Sequence, residues 1–226
     1  MDWELKIEHG SPMKVKQFVF NHFQTNCYVL WDEVSKQCAI VDPTSEASYE
    51  DERLAQFVQE NGLTVVKLLL THAHVDHVAG LRDACERYGL PVTLHRDGVK
   101  LLKQAEAYGM MMGFGVSAMD DLACEYVEDD DVLIIGNNCE IECRYVPGHC
   151  PGSMVYVLKD EKMVLTGDAL FCGSIGRTDL PGGNYSLLIE KIRSRIMVLP
   201  DEYQVLPGHG ELSTIGEERR YNGFLV

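Results

Sequence analysis

The amino-acid sequence predicts a single mixed α/β domain in which strands are followed by alternating helices and strands, twice along the chain. Three observations lead to this prediction. The 226 residues, 46% of them hydrophobic, suit one large domain with a sizeable core. Each half contains several short β-rich runs bounded by polar turns. Helical segments alternate with further apolar runs along the chain. The domain is predicted to cover residues 1–226, with residues 1–12 as an N-terminal extension.

In the first half, three β-rich runs predict a meander, and helices and strands then alternate. Ser45 is placed to cap the first helix, with Gly62 beyond its end. The nearly continuous apolar run 63–70 is typical of a strand that is buried on both faces. The predicted strands are 15–20, 26–31, 37–41, 63–70 and 91–95, and the predicted helices are 45–60, 77–88 and 98–108.

The second half is again rich in strands and contains one long amphipathic helix. Before it, the methionines and glycines of 109–115 predict a flexible apolar loop, either a pocket wall or a core-filling or subunit contact. The contiguous carboxylates of 128–131 predict a solvated turn, since they repel one another. The predicted strands are 132–135, 140–146, 154–158, 163–166 and 204–206, and the predicted helix is 185–197.

Charge and composition exclude several classes of function. Lys and Arg number 20 against 35 Asp and Glu, a formal net charge of -15. Nucleic-acid binding relies on cationic side chains, so we expect no such partner, whereas bound metal cations would offset part of this charge. We also expect no membrane partner, because no apolar run approaches the roughly 18 residues of a spanning helix. The charged N-terminus is unlike a secretory signal. A cytoplasmic protein with reduced cysteines is therefore expected.

The side chains that suggest chemistry are concentrated in four short segments, each at the end of a predicted strand. Spacing of i, i+2 and i+4 in the first segment does not fit one helical face, but it fits a strand end that breaks into a turn. Five imidazoles and two carboxylates suit a pair of zinc, iron or manganese ions and suit magnesium or calcium poorly. Chance placement beside glycines would explain one segment more easily than four. The residues are His72, His74, Asp76 and His77, then His149, then Asp168, then His209.

These residues resemble a known family. The segment Thr71–Gly80 is similar to the HxHxDH signature of the metallo-β-lactamase fold, and the later residues match its remaining ligand positions in order. The resemblance covers Met13 to about Glu218 and implies a four-layer αββα sandwich of two mixed β-sheets, with a dinuclear site at one edge. By this resemblance one metal is held by His72, His74 and His149, the other by Asp76, His77 and His209, and Asp168 bridges them.

Within the family, Gly167–Leu180 and Ser213–Glu218 resemble the glyoxalase II-like (hydroxyacylglutathione hydrolase-like) branch. Metallo-β-lactamases usually carry Cys where Asp168 stands, and they are secreted, which argues against an antibiotic hydrolase. Oxygen-reducing diiron members have Glu in place of His74. Only 17 residues follow His209, so we expect the C-terminal helical domain of glyoxalase II to be missing, which leaves glutathione specificity open.

The favoured hypothesis is a thioester hydrolase that acts on a small S-acylglutathione-type substrate. Two divalent metals, zinc first and iron or manganese as alternatives, would generate a bridging hydroxide that attacks the carbonyl. Asp168 would set the distance between the metals, and Asp76 would orient the water; these are the two predicted catalytic residues. The sequence does not identify the acyl group, the thiol, the metal or the oligomeric state.

A persulfide dioxygenase is the alternative, because those enzymes resemble the same pattern, including Gly176–Asp179. They use one iron held by two His and one Asp, here His72, His149 and Asp168. A non-catalytic metal-binding role is a third interpretation.

Several further residues invite a functional interpretation. We predict that Arg177 and Asp179 form an internal ion pair. The alternative is that they contact an anionic substrate. His22 and His95 are expected to be packed or hydrogen-bonded locally. Cys150 follows a predicted ligand, where it would tune the site or be oxidised. Tyr108 and 110–112 are predicted to line the pocket.

Overall fold

A computed structural model describes residues 13–226, so the predicted extension 1–12 lies outside the described residues. The first half of the chain forms a six-stranded sheet in the order β1-β2-β3-β4-β5-β6. The first three strands pair antiparallel as a meander, and β3 to β6 pair in parallel. The strands are β1 Met13–Phe20, β2 Thr25–Asp32, β3 Gln37–Val41, β4 Thr64–Leu69, β5 Val92–Leu94 and β6 Cys124–Tyr126.

The second half forms another six-stranded sheet, in the order β14-β13-β10-β9-β8-β7. Strands β7 to β10 pair antiparallel, β10 pairs in parallel with β13, and β14 closes the edge. A separate hairpin, β11 with β12, follows β10. The strands are β7 Val132–Ile135, β8 Cys139–Tyr145, β9 Met154–Leu158, β10 Met163–Gly167, β11 Leu170–Phe171, β12 Ser174–Ile175, β13 Gln204–Pro207 and β14 Ser213–Thr214.

Helices cover the outer face of each sheet. The first sheet is covered by α1 Ser48–Glu60, α2 Leu81–Tyr88, α3 Val99–Lys103 and α4 Ala105–Met112, and the second by α5 Tyr185–Lys191 and α6 Ile215–Tyr221. A π-helical turn, Ile192–Ile196, extends α5, and single 3₁₀ turns lie at Val75–His77 and Arg96–Gly98. Within residues 13–226, none of these helices has the length and apolar character that a membrane crossing requires.

Three layers of buried side chains hold these elements together. Tyr156 and Leu30 belong to the layer between the sheets, where the Tyr156 hydroxyl donates a 2.7 Å hydrogen bond to the carbonyl of Leu70. Leu54 lies in the layer under α1 to α4, and Leu188 in the layer under α5 and α6. An α/β sheet must cover both faces to bury its apolar side chains. The predicted four-layer αββα sandwich is confirmed.

Several predictions for the first half differ from the structure. The first helix begins at Ser48, and Ala47 is its N-cap in place of the predicted Ser45. The predicted helix 77–88 is a 3₁₀ turn followed by α2, because the chain must pass Gly80 close to Ser45, where a Cβ would overlap the serine. The predicted loop at 109–115 is wrong in its first part, since residues as far as Met112 belong to α4. Gly109 is needed there for close contact with Val116, and Gly113, at a φ of 83°, ends the helix.

Candidate metal centre

All seven predicted site residues meet at one edge of the sandwich, where strands from both sheets end. The loop after β4 carries His72, His74, Asp76 and His77. From the second sheet, His149 follows β8, Asp168 follows β10 and His209 follows β13. Residues at the ends of strands that run in the same direction share one edge of a sheet. The fold therefore brings together side chains that are as far as 137 residues apart in sequence, from His72 to His209.

The first group of donors consists of His72, His74 and His149. Nδ1 of His74 lies 2.8 Å from Nε2 of His149, and the rings of His72 and His149 are nearly perpendicular, 5.0 Å apart. The Sγ of Cys150 belongs to the same cluster, in which the donor atoms all lie within 4.8 Å of one another. His72 and His149 are buried, at 2% and 3% exposure.

The second group consists of Asp76, His77 and His209. Oδ2 of Asp76 lies 3.0 Å from Nε2 of His209 and 3.5 Å from Nε2 of His77. The two histidine Nε2 atoms are 3.4 Å apart. The hydroxyl of Thr25 in β2 donates a 3.1 Å hydrogen bond to the same Asp76 oxygen, which holds this carboxylate from the first sheet.

Asp168 lies between the two groups and approaches both. Its Oδ1 is 3.2 Å from Nε2 of His77. Its Oδ2 is 3.6 Å from Nε2 of His209, 3.7 Å from that of His149 and 4.0 Å from that of His72. One carboxylate is thus within reach of any cation that either group of donors would hold.

Hydrogen bonds on the outer side of the rings fix their orientation. Nδ1–H of His149 donates to the carbonyl of Arg177 at 2.8 Å, and Nδ1–H of His209 to the carbonyl of Phe23 at 3.2 Å. These contacts place the lone pair of each Nε2 toward the centre, which is the usual way proteins orient histidine ligands.

Asp42, which the sequence analysis missed, supports the site from the end of β3. It accepts hydrogen bonds from Nδ1–H of His77 at 2.8 Å and from the backbone N–H and hydroxyl of Thr71 at 2.7 and 2.6 Å. The Thr71 hydroxyl proton is used on Asp42, so the 3.1 Å contact with His72 is a donation from His72 Nδ1–H. A carboxylate directly after an apolar strand was the available signal, as it was for Asp168.

Charge and burial divide the histidines into two kinds. Burial, together with the charge of the neighbouring imidazoles, lowers the pKa of His72 and brings that of His74 to about 4. Burial also opposes the charged form of His77, but the carboxylates of Asp168 and Asp76 outweigh it and raise its pKa well above the usual value. The surroundings therefore favour the neutral form of the first two imidazoles, which offers a free lone pair, and the charged form of His77.

The donor set fits a pair of divalent cations. Imidazole nitrogens and carboxylate oxygens in this ratio suit zinc, iron or manganese. Nε2 of His72 is buried and makes no hydrogen bond within residues 13–226, a costly state for a polar atom unless a ligand satisfies it. Asp42, Arg177 and Thr71 supply the outer contacts that such a centre requires.

A cavity of about 250 Å³ lies directly over this centre. Five of the seven donor residues line its floor, and its walls are mostly apolar. The predicted wall residues Tyr108 and Met112 line it, whereas Met110 and Met111 are 76% and 81% exposed and do not. The predicted ion pair at the rim is confirmed, because the guanidinium of Arg177 binds Asp179 through two 2.8 Å hydrogen bonds.

Within residues 13–226, the two histidines outside the donor groups have local contacts, as expected. His95 stacks on Tyr145, with ring centroids 4.0 Å apart. His22 lies outside the donor groups, and its Nδ1 is 2.7 Å from a carboxylate oxygen of Glu46.

A two-sheet sandwich with a His/Asp cluster at its edge defines a class of metal-dependent enzymes. Residues 21–209 match the Metallo-beta-lactamase superfamily, and the chain belongs to this family. It is 38% identical over 213 residues to the probable metallo-hydrolase YqgX of Bacillus subtilis, covering 94% of this chain and 98% of the relative. It is 34% identical to the hydroxyacylglutathione hydrolase GloC of Haemophilus influenzae, with the same coverage. It is 31% identical to the human mitochondrial persulfide dioxygenase ETHE1, covering 94% of this chain and 76% of that protein.

Two solved structures show the same fold over nearly the whole chain. The B3 metallo-β-lactamase BLEG-1 superposes with a TM-score of 0.84 at 34% identity, covering 93% of this chain and 99% of the other. A di-iron-bound form of TTHA1623 gives a TM-score of 0.82 at 32% identity, covering 92% and 99%.

Proposed function

We propose that this protein hydrolyses a small thioester at a centre of two divalent metals. His72, His74 and His149 would hold one metal, Asp76, His77 and His209 the other, and Asp168 would bridge them. The position of Asp168 carries the proposal: its carboxylate lies 3.2 Å from His77 in one group and 3.7 Å from His149 in the other. Zinc is the proposed metal. Iron and manganese are the alternatives, since the same donors suit them, and a di-iron-bound form of TTHA1623 supports iron in particular.

The metals, when bound, supply an ionised water at neutral pH and positive charge for the carbonyl oxygen. The residues of the chain arrange the reaction around them. Asp76, held by Thr25 at 3.1 Å, accepts a hydrogen bond from the attacking water and directs its lone pair toward the carbonyl carbon. Asp168 fixes the separation of the two donor groups. The thiolate is a good leaving group, so the chain needs no dedicated proton donor for it.

The relatives support the thioester as substrate. GloC of Haemophilus influenzae is named a hydroxyacylglutathione hydrolase, and the similarity to this chain covers 98% of its length. The cavity above the donors is open to a small molecule, and the net charge of -15 disfavours nucleic acid. We propose a small-molecule substrate and a cytoplasmic location.

A persulfide dioxygenase is the second candidate. His72, His149 and Asp168 lie close enough to hold a single iron, with Asp168 Oδ2 3.7 and 4.0 Å from the two imidazoles. The resemblance to the human persulfide dioxygenase favours it. In this case Asp76, His77 and His209 would surround the iron without binding it.

The test compares three reactions on the same preparation, after metal removal and separate loading with zinc and, anaerobically, with iron. Thiol release from thioesters, oxygen uptake with a persulfide, and opening of a chromogenic β-lactam are measured in parallel. We expect thioester hydrolysis to exceed the other two. Oxygen uptake with iron and no thioester hydrolysis with either metal would overturn the proposal, and β-lactam opening alone would assign a different hydrolase.

A variant of His209 separates the two candidates further. His209→Gln removes a donor of the second group only, so a two-metal hydrolase should lose at least about 100-fold in kcat. A single-iron enzyme built on His72, His149 and Asp168 should keep most of its activity. His95→Gln, a buried histidine outside the centre, is the matched control and should leave the rate unchanged.

A further inference from the structure

We infer that the cavity over the metal centre takes an uncharged, apolar acyl group, while the thiol part of the thioester remains at the mouth in water. The inference rests on the proposed thioester hydrolysis and specifies its substrate. It follows from the walls of the cavity, from the charge around them and from the size of the enclosed space.

The walls come from three separate parts of the chain and are apolar in each. Leu101 in α3 and Tyr108 and Met112 in α4 contribute one part of the lining. Phe23, from the turn between β1 and β2, and the pair Leu180 and Pro181 contribute the other two. Binding cavities gain most of their affinity from such side chains, while a few polar groups set orientation. Here the metal donors on the floor are those polar groups.

The charges around the cavity disfavour a carboxylate on the acyl group. Among the described residues that line it, Arg177 is the one Lys or Arg, and Nε and Nη2 of its guanidinium donate hydrogen bonds to Asp179. A substrate carboxylate would have to compete with Asp179 for this guanidinium, in a chain with a formal net charge of -15. Burying a charge without a partner is costly, so an uncharged acyl group should bind better than an anionic one of equal length.

The size of the cavity decides which half of the substrate it holds. Its volume of about 250 Å³ exceeds the roughly 150 Å³ of an apolar cavity that binds benzene. It has room for a short aliphatic chain or a phenyl ring, but not for a tripeptide thiol. The acyl group therefore lies inside and the thiol outside.

The experiment measures kcat/KM of the metal-loaded enzyme for acetyl, butanoyl, hexanoyl, benzoyl and succinyl thioesters of one neutral thiol, N-acetylcysteamine. Each buried methylene should raise kcat/KM by about fourfold. The succinyl thioester should be at least about tenfold slower than the butanoyl thioester of the same chain length. Changing the thiol to glutathione at constant hexanoyl group should alter the rate far less than changing the acyl group. A flat acyl series, or a preference for the succinyl thioester, would overturn the inference.

Two neighbouring methionines give a matched pair of variants. Met112 lines the cavity and Met111 does not, and both are exposed enough, at 42% and 81%, for substitution to spare the fold. Met112→Gln should lower kcat/KM for the hexanoyl thioester by about fivefold, and for the shorter acetyl thioester by less. Met111→Gln should change neither. Equal effects of the two variants would contradict the assignment of this wall.

A binding measurement separates failure of this inference from failure of the proposed function. S-alkyl thioethers of N-acetylcysteamine, which cannot be hydrolysed, are titrated by calorimetry into the same protein. If no thioester is hydrolysed but affinity still rises with alkyl length and falls in Met112→Gln, the proposed reaction is wrong and the apolar cavity stands. If thioesters are hydrolysed but thioether affinity is independent of chain length, the inference about the acyl group is wrong.

Discussion

The carboxylate of Asp42 accepts a 2.8 Å hydrogen bond from Nδ1–H of His77, and this contact joins the end of β3 to the centre. The same carboxylate binds the hydroxyl of Thr71, which in turn accepts from His72. One buried residue that touches no predicted metal position thus orients one imidazole from each donor group.

Replacing Asp42 should weaken metal binding without unfolding the protein. Asp42→Asn leaves only one side-chain oxygen to accept three hydrogen bonds, so either His77 or Thr71 loses its hydrogen-bond acceptor. We expect metal affinity to fall by about 10- to 100-fold, as is usual when the outer partner of a ligand is removed. Competition with a chromogenic chelator measures it. Asp32→Asn is the control, because Asp32 is equally buried but accepts from the backbone N–H groups of Val34 and Asn137. The account fails here if both variants bind metal alike.

Acidification should release the two metals in sequence. The carboxylates of Asp168 and Asp76 raise the pKa of His77 despite its burial, so a cation at this position must displace a proton and binds more weakly as the pH falls. Burial and the charge of His149 lower the pKa of His74 to about 4, so no proton competes there until the pH is much lower. Dialysis at about pH 5 should leave the first position filled and empty the second. Loss of both metals together would contradict this division.

Gly208 should tolerate no side chain, for reasons of space. A Cβ at this position would overlap Oδ1 of Asp168 and lie 2.7 Å from Cε1 of His77. Gly208→Ala should displace the proposed bridging carboxylate, reduce bound metal and lower kcat by at least about tenfold. Gly223→Ala, where the added Cβ meets open space, serves as control and should behave like the parent. Normal metal content in Gly208→Ala would show that the edge is more compliant than the structure indicates.

The contact between Tyr156 and Leu70 should contribute to stability. Tyr156→Phe leaves the Leu70 carbonyl without its 2.7 Å donor and should cost about 1–3 kcal/mol of unfolding free energy. Denaturant unfolding of the metal-free protein measures this value. Tyr203→Phe removes a longer contact of 3.4 Å to the Lys159 carbonyl and should cost less. An equal cost for the two would mean that the hydroxyl of Tyr156 adds little.

Local pattern was sufficient to predict most strands and the His and Asp residues that meet at the edge of the sandwich. Strands such as Gln37–Val41 and Met154–Leu158 have the predicted bounds, because their apolar runs end at polar residues. The donors were recognisable because each follows a strand, beside glycine or within a dense His/Asp segment. The αββα layering itself came from the family resemblance.

What escaped prediction depends on contacts between distant segments. Phe23 reaches the cavity only because β1 and β2 lie beside the second sheet, where its carbonyl accepts from His209. The helical state of 109–112 depends on the packing of Gly109 against Val116, which composition alone does not reveal. The role of Asp42 required knowing that β3 and β4 are parallel neighbours.

The metal content of the protein, purified without a metal-affinity tag or chelator, tests the central claim most directly. Elemental analysis should find about two equivalents of zinc, iron or manganese per chain, and His209→Gln should retain about one. About one equivalent in the parent, all of it iron and still about one after anaerobic reloading, would contradict the two-metal centre.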